Sequence, residues 1–191
     1  MENLYLKEGK ALIVVAHPDD ETIWMAGTIL KYQNIDWTIF VLCRRNDPGR
    51  YSKFLRAAQF YHAQGIISDL EDEEVLTLKE SLAEIEKRIG NQLPKKKFDY
   101  IFTHGSNGEY GHVKHRGAHI VVKRLFQKKK LISHNLFFFA YFRPQAEFCL
   151  KLSKEEFKTK KDIIKNIYGF SKFSFENKNC QRVETFDKYR L

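Results

Sequence analysis

The fold of this chain is decided by a short apolar run that ends in a polar cluster, Ala11-Leu12-Ile13-Val14-Val15-Ala16-His17-Pro18-Asp19-Asp20-Glu21. Six apolar residues, three of them β-branched, predict a strand buried on both faces of a sheet. Residues 22–30, beyond the cluster, have the composition of a helix. Ligands bind at the carboxyl ends of strands in open α/β sheets, so we expect the histidine and the acids to lie at a functional site.

The polar cluster contains the side chains that a catalytic zinc site requires. Neutral imidazole and carboxylate are zinc ligands, and a carboxylate that does not bind the metal can act as a general base toward water. His17, Asp19 and Asp20 can fill these three roles. Acids at the start of a helix are also favoured by the helix dipole alone, so the cluster by itself leaves both interpretations open.

Length and composition predict a single domain over residues 1–191. The chain is 43% hydrophobic, which suffices for one complete core. Its cysteines, Cys43, Cys149 and Cys180, form no CxxC pair and indicate neither a disulfide framework nor a thiolate zinc site. No segment resembles a signal peptide or is apolar over a membrane's width, so we expect a cytoplasmic protein without a transmembrane segment.

The net charge of +9 suits an anionic partner, such as a nucleotide-linked sugar, a phosphorylated glycan or a membrane surface. The lysine runs at residues 95–97 and 128–130 fall at predicted helix ends or loops, where lysines are commonly solvated. No nucleic-acid module accompanies the charge, so we expect no nucleic-acid partner.

Strands and helices alternate along the rest of the chain. Strands are predicted at residues 36–43, 66–70, 98–103 and 136–142, and helices at residues 52–64, 81–89, 116–126 and 154–168. The tail from Gly169 shows no clear period and is predicted to be irregular. This alternation indicates an α/β fold with a mostly parallel sheet and helices on both faces.

A second polar cluster follows the strand predicted at residues 98–103. It is a glycine-punctuated loop that carries His104, His112 and His115. The last two are three residues apart, so both can point into one site. If two neighbouring strands end at the same sheet edge, this loop and His17 can share one metal ion. A lone HxxH is more commonly a pair of surface histidines, and His104 either supports a metal ligand or braces the loop.

Together the two motifs resemble the signature of the LmbE-like, or PIG-L, family of zinc-dependent N-deacetylases. The first motif, residues 16–21, matches in full. The second, residues 108–116, agrees in its glycines and both histidines, but Val113 and Lys114 stand where many relatives have Pro and Asp. The resemblance covers residues 10–145.

This resemblance implies a Rossmann-like fold in which His17, Asp20 and His115 hold a zinc ion. It further implies that Asp19 is the general base and that His112 stabilises or protonates the tetrahedral intermediate. The implied reaction removes the acyl group from a small N-acetylated amino sugar, free or linked to a nucleotide or lipid.

Three further residues are candidate substrate contacts. Arg143 follows a predicted strand at a position similar to an arginine of several relatives. Arg50 matches the arginine of a family Arg-x-x-Glu pair, although Lys53 replaces the acid. For both arginines, a solvated surface position is the equal alternative. Tyr110 lies inside the second motif, where its ring can pack on a sugar.

Two other kinds of protein compete with the hydrolase. One is a catalytically silent module that binds glycans or nucleotide sugars; the three candidate ligands and Asp19 argue against it. The other is a dinucleotide-dependent enzyme, but no GxGxxG follows the first strand.

Overall fold

The computed structural model describes residues 1–73, 75–142 and 145–190. In these ranges the strands are β1 Glu2–Asn3, β2 Gly9–Val15, β3 Ile35–Cys43, β4 Gln64–Leu70, β5 Tyr100–Thr103, β6 Asn135–Phe139, β7 Phe148–Lys151 and β8 Val183–Lys188. The helices are α1 Asp20–Lys31, α2 Pro48–Phe60, α3 Leu78–Gln92, α4 Gly108–Gly111, α5 Val113–Gln127, α6 Lys154–Asp162 and α7 Phe175–Asn179. A π-helical turn, Ile163–Ile167, continues α6.

The strands form one mostly parallel sheet, which confirms the predicted α/β fold. Their order is β1-β7-β8-β6-β5-β2-β3-β4. Strand β2 lies between β5 and β3 and is parallel to both. Val14 near the end of β2 pairs with Thr103 at the end of β5. The two polar clusters therefore leave the sheet from neighbouring points on one edge.

Strand β2 is buried on both faces, as its unbroken apolar sequence predicts. Ala11, Ile13 and Val15 belong to a core cluster shared with α1 and α2. Leu12 and Val14 belong to a second cluster shared with α3 and α5. Helices therefore cover both faces of the sheet.

Helix α1, which begins inside the first polar cluster, is kinked at Met25, where φ is −151° and ψ is 21°. Beyond the kink, the backbone N–H groups of Gly27 and Thr28 donate to the Glu184 carboxylate at 2.8 Å each. Lys160 Nζ donates to the same carboxylate at 2.8 Å, and both charged side chains are fully buried. A glutamate from β8 thus satisfies backbone donors that the kink releases.

The prediction of an irregular C-terminal tail is wrong. Residues after Gly169 contain α7 and β8, and β8 lies inside the sheet, antiparallel to both β6 and β7. Glu184 and Phe186 of β8 are buried. One of the two inward positions is thus a charged residue, which hides the strand's alternation in the sequence.

Most other predicted elements agree with the structure in type and differ at their ends. Helix α2 begins and ends earlier than predicted, because Asp47 caps its first turn and Gln64 already belongs to β4. Within the ranges that the structure describes, none of the helices is long and apolar enough to cross a membrane.

Candidate active site

Three side chains predicted to be metal ligands meet beyond the carboxyl ends of β2 and β5. His17 follows β2, Asp20 begins α1, and His115 lies in the first turn of α5. His17 Nδ1 is 3.3 Å from Asp20 Oδ2, and His115 Nε2 is 3.4 Å from the same oxygen. The two nitrogens are 3.3 Å apart. We call these three donor atoms the donor triangle; all three residues are buried.

The donor triangle has the dimensions of one face of a tetrahedral zinc site. Zinc binds imidazole nitrogen and carboxylate oxygen at about 2.0–2.2 Å, so two donors of a tetrahedral site lie roughly 3.3–3.5 Å apart. The separations of 3.3–3.4 Å agree with this spacing. A catalytic zinc site has three protein ligands and keeps its fourth position for water or substrate, which the triangle allows.

Each histidine of the triangle has a carboxylate on its other ring nitrogen. Asp72, in the loop after β4, places Oδ1 2.7 Å from His17 Nε2. Glu109 Oε2 lies 2.6 Å from His115 Nδ1 and 2.7 Å from His104 Nδ1. Such a carboxylate fixes the ring orientation and tautomer, and it raises the basicity of the nitrogen that faces the metal.

Glu109 reaches the histidines from a strained backbone. Its φ is +56° and its ψ is −71°, next to Gly108 with φ +62°. A backbone conformation in such a sparsely populated region costs about 1–3 kcal/mol of stability and persists only where the surrounding structure enforces it. Here the Gly105 N–H donates to Glu109 Oε1 at 2.8 Å, in addition to the contacts with two histidines. The strained turn thus aims a buried carboxylate at the site.

His104 lies behind His115 rather than in the donor triangle. The two rings stack with their centroids 3.8 Å apart. The Ala16 N–H donates to His104 Nε2 at 3.0 Å, which leaves Nδ1 to carry a hydrogen toward Glu109. Both ring nitrogens are therefore occupied by the protein, and His104 supports a ligand as well as bracing the loop.

Asp19 lies beside the triangle, with its carboxylate paired to an arginine. Its backbone has φ +112°, and its N–H donates to Glu21 Oε2 at 3.1 Å. Arg50 Nη2 donates to Asp19 Oδ2 at 2.9 Å and to the Pro18 carbonyl at 3.0 Å. Burial raises the pKa of Asp19 well above its usual range, because the opposing charge of Arg50 is insufficient and Asp20 adds to the increase. A carboxylate with a raised pKa is better suited to accept a proton near neutral pH.

His112 caps α5 and faces the same space. Its Nδ1 accepts the Lys114 N–H at 3.3 Å, so its hydrogen lies on Nε2. Its ring centroid is 4.7 Å from that of His17 and 4.8 Å from that of His115. Burial, followed by these two neighbouring rings, lowers the pKa of His112 to about 4. The imidazole is therefore neutral at pH 7 and offers one N–H donor.

A pocket of about 180 Å³ opens onto these residues. It is lined by His17, Asp19, Asp20, Ile23, Arg50, Tyr110, His112, Phe175 and Glu176. The last two come from α7, so the C-terminal segment forms a wall that the sequence leaves unassigned. The Phe175 ring meets Tyr110 edge-on, with centroids 4.7 Å apart. Helix α7 and the second motif thus share the rim of the pocket.

The structure brings seven predicted site residues together at this pocket: His17, Asp19, Asp20, Arg50, Tyr110, His112 and His115. Arg143 lies outside the described residues. Sequence reasoning did not single out Asp72 or Glu109 as supports, or Phe175 as a wall residue. Glu109 had a signal, because it stands between the glycines of the second motif; Asp72 had only its place after a strand that ends at the same sheet edge.

Comparison with known proteins gives one family match and one distant relative of note. Residues 12–126, more than half of the chain, match the family model PIG-L, described as GlcNAc-PI de-N-acetylase. Uncharacterized protein L374 of Acanthamoeba polyphaga mimivirus is 25% identical over 179 residues, covering 83% of this chain and 75% of that protein.

Solved structures with a similar fold include enzymes named for different reactions, a deacetylase and a hydratase. The N,N'-diacetylchitobiose deacetylase from Pyrococcus horikoshii has a TM-score of 0.64 at 14% identity, over 94% of this chain and 83% of that one. GalB, the 4-carboxy-2-hydroxymuconate hydratase from Pseudomonas putida KT2440, has a TM-score of 0.60 at 14% identity, over 95% and 96%. At such identities these structures establish the fold alone. The family model, in contrast, spans both polar clusters, and the chain belongs to the PIG-L family, described as GlcNAc-PI de-N-acetylase.

Proposed function

We propose that this chain is a zinc-dependent N-deacetylase that hydrolyses the acetyl group of an N-acetylated amino sugar. The observation that carries the proposal is the donor triangle of His17, Asp20 and His115, with the carboxylate of Asp19 beside it. Ligands at tetrahedral spacing together with a carboxylate base are the donor set of metal-assisted hydrolysis. Membership of the PIG-L family, described as GlcNAc-PI de-N-acetylase, supports the substrate class.

The chain's own residues divide the first step between them. When bound, zinc supplies a Lewis acid that polarises the acyl carbonyl and lowers the pKa of a water molecule. Asp19 accepts a proton from that water as the oxygen attacks the carbonyl carbon, and its raised pKa suits this role. Arg50 donates to Oδ2 of Asp19 at 2.9 Å, which fixes the carboxylate beside the donor triangle.

His112 and Asp19 complete the reaction. The Nε2–H of the neutral His112 donates to the carbonyl oxygen as that oxygen becomes negative. Asp19 then returns its proton to the amine nitrogen, the C–N bond breaks, and acetic acid and a free amine leave. Each atom of the water is accounted for: its oxygen and one hydrogen enter the acetic acid group, and the other hydrogen reaches the amine.

The rim of the pocket suits a sugar ring. Tyr110 and Phe175 are each 46% exposed there, and aromatic rings pack against the apolar CH surface of sugars. Arg50 and Glu176 line the same pocket. The arginine can donate hydrogen bonds to sugar hydroxyl groups, and the glutamate can accept hydrogen bonds from them. We therefore propose an N-acetylhexosamine, free or linked to a nucleotide or lipid, as the substrate; Arg143 stays a predicted contact.

The test is a panel of N-acetylglucosamine compounds: free, nucleotide-linked and lipid-linked. We expect equal amounts of acetate and new primary amine, about one zinc per chain as a three-ligand site implies, loss of activity with a chelator, and recovery with zinc. His115→Ala should lose both zinc and activity, whereas His134→Ala, at an exposed histidine, should keep both. Metal-free protein that binds these sugars without releasing acetate would contradict the hydrolase and support a glycan-binding module.

A further inference from the structure

The loop that follows β4 is tied to the candidate metal site through Asp72. One oxygen of this carboxylate, Oδ1, is 2.7 Å from His17 Nε2. The other, Oδ2, accepts a hydrogen bond from Arg44 Nε at 2.8 Å and lies 2.7 Å from Arg44 Nη2. The Asp72 side chain is 8% exposed. Two nitrogens of one guanidinium thus hold Oδ2, and this charge-assisted contact leaves Oδ1 to face His17.

Lys114 of α5 anchors the same loop from the other side. Its side chain is 1% exposed, and its Nζ is 3.1 Å from Glu71 Oε2 and 3.1 Å from Ser81 Oγ of α3. Glu71 also accepts the backbone N–H groups of Val75 and Leu76 at 3.2 and 3.1 Å. Lys114 therefore holds the Glu71 carboxylate, which also binds backbone N–H groups within its own loop. Through these contacts Lys114 connects the loop to α3 and α5.

The position of this ion pair gives it importance for the metal site. Lys114 is buried and 27% of the Glu71 side chain is exposed; such a pair adds little net stability, because desolvation of the lysine and solvent screening of the glutamate offset their attraction. Glu71, however, directly precedes Asp72, so a displacement of Glu71 moves the carboxylate that holds His17. Lys114 directly precedes His115 in α5. The pair thus links the segment that carries the support of His17 to the helix that carries His115.

We propose that Lys114 and Glu71 are positioning residues that hold Asp72 against His17 Nε2, so that His17 Nδ1 faces the metal. The proposal rests on the metal site proposed above. It also accounts for Lys114, which stands where many relatives have an aspartate. In this chain that position supplies a cation, which pairs with Glu71.

In the test, the protein is depleted of metal and then titrated with zinc in the presence of a chromophoric chelator. Competition between protein and chelator gives the zinc affinity. Asp72→Asn keeps the shape of the side chain but removes its charge, so zinc affinity should fall by about 10- to 100-fold. Lys114→Met removes the anchor with little change in volume and should lower zinc affinity less. In the Asp72→Asn background Lys114→Met should have no further effect, because Lys114 acts through Asp72. Lys123→Met, farther along α5, is the matched control and should bind zinc like the unchanged protein.

Unfolding of the zinc-free proteins in urea, and the visible spectra of their cobalt forms, separate positioning from folding. We expect Asp72→Asn to keep its stability and to show an altered cobalt spectrum. Wild-type zinc affinity in Asp72→Asn would overturn the proposal, and so would an equal loss from Lys114→Met in both backgrounds. If the protein without substitutions binds no zinc, the proposed metal site itself is wrong. If it binds zinc and the substitutions leave its zinc affinity unchanged, only the positioning role of these residues is wrong.

Discussion

At the scale of single residues, two adjacent carboxylates have opposite environments. Burial raises the pKa of both, but in Asp20 the surrounding histidines, His115 first, outweigh burial and hold the pKa well below its usual range. In Asp19 burial prevails over Arg50, and the pKa is raised. Environments that separate the pKa values of neighbouring acids commonly assign them different roles. Geometry supports the proposed roles: Asp20 Oδ2 lies 3.3–3.4 Å from both imidazole nitrogens, whereas Asp19 is held beside them by Arg50.

The first prediction tests this division with Asp19→Asn. The amide has the size of the carboxylate but cannot take a proton, so turnover should fall by about 100-fold or more while zinc stays bound. Zinc content, substrate affinity and the single-turnover rate are the measurements. Asp36→Asn, at an exposed position, is the control. Full turnover would exclude Asp19 as the base, and loss of zinc would make it a ligand.

The second prediction separates the two histidines of the second motif. His115→Ala should lose zinc, as should His17→Ala and Asp20→Ala, because each removes one corner of the donor triangle. His112→Ala should keep zinc but lose about 10²- to 10³-fold in turnover, the typical effect of removing one donor to a developing oxyanion. Metal analysis beside the rate measurement decides between these outcomes; zinc loss in His112→Ala alone would mean that the roles are exchanged.

At the scale of elements, α1 depends on a distant strand. Its kink at Met25 leaves backbone donors that Glu184 of β8 accepts, and Lys160 of α6 completes this buried cluster. The first turn of α1 carries Asp20, so the same helix links the C-terminal strand to the candidate metal site. A buried glutamate is a strong determinant of structure only while all its partners are present.

The third prediction concerns this cluster. Glu184→Gln leaves Lys160 buried without a charged partner, so the free energy of unfolding should fall by about 3–5 kcal/mol. Lys158→Met removes an exposed pair with Asp162 on the same helix and should change it by only about 0.5 kcal/mol. Unfolding in urea measures both. Equal effects of the two substitutions would contradict the assigned role of the buried cluster.

At the scale of the whole molecule, the C-terminal segment contributes to both the core and the pocket. Strand β8 places Phe186, which is fully buried, against Phe102 and Phe139 in the middle of the sheet. Helix α7, a few residues earlier, places Phe175 at the pocket rim. The same short stretch of chain therefore completes both the fold and the wall of the pocket.

The fourth prediction compares phenylalanines of this segment. Phe186→Ala should lower the free energy of unfolding by about 3–5 kcal/mol, because it leaves a cavity between packed rings. Phe173→Ala, at a residue that is 70% exposed, should change it by less than about 0.5 kcal/mol. Denaturant unfolding of the two variants is the measurement. A small effect at Phe186 would show that β8 does not belong to the core.

The fifth prediction uses the same control for the pocket. Phe175→Ala removes an aromatic face from the rim, so the KM for the N-acetylated sugar should rise while kcat and stability change little. Phe173→Ala should leave KM unchanged. Steady-state kinetics with the best substrate of the panel measures both. A fall in kcat without a change in KM would place Phe175 in the chemical step instead.

The sequence by itself determines the parts of this protein that depend on local pattern. The apolar run of β2 can be buried only in the middle of a covered sheet, and the acids and histidine after it must then lie at its carboxyl end. The short spacing of His112 and His115 keeps both in one turn. These features follow from the chain's covalent spacing and from the periods of strand and helix. The sheet and the place of both polar clusters at one of its edges are predictable for that reason, whereas the roles of ligand and base come from the family resemblance and stay predictions.

Only the tertiary structure decides which distant groups complete the site. Asp72 contacts His17 across 55 positions of sequence, and Glu184 contacts Gly27 across 157. Such contacts cannot be predicted from local sequence periodicity, because the residues next to a charged side chain in sequence do not indicate whether it is buried or which group it contacts. Strand β8 is not predictable from the sequence for the same reason. Its inward residue Glu184 has the character of a surface residue, and only the structure shows that Lys160 and the kinked backbone of α1 surround it. Packing, which brings remote charges into a shared low-dielectric space, makes that decision.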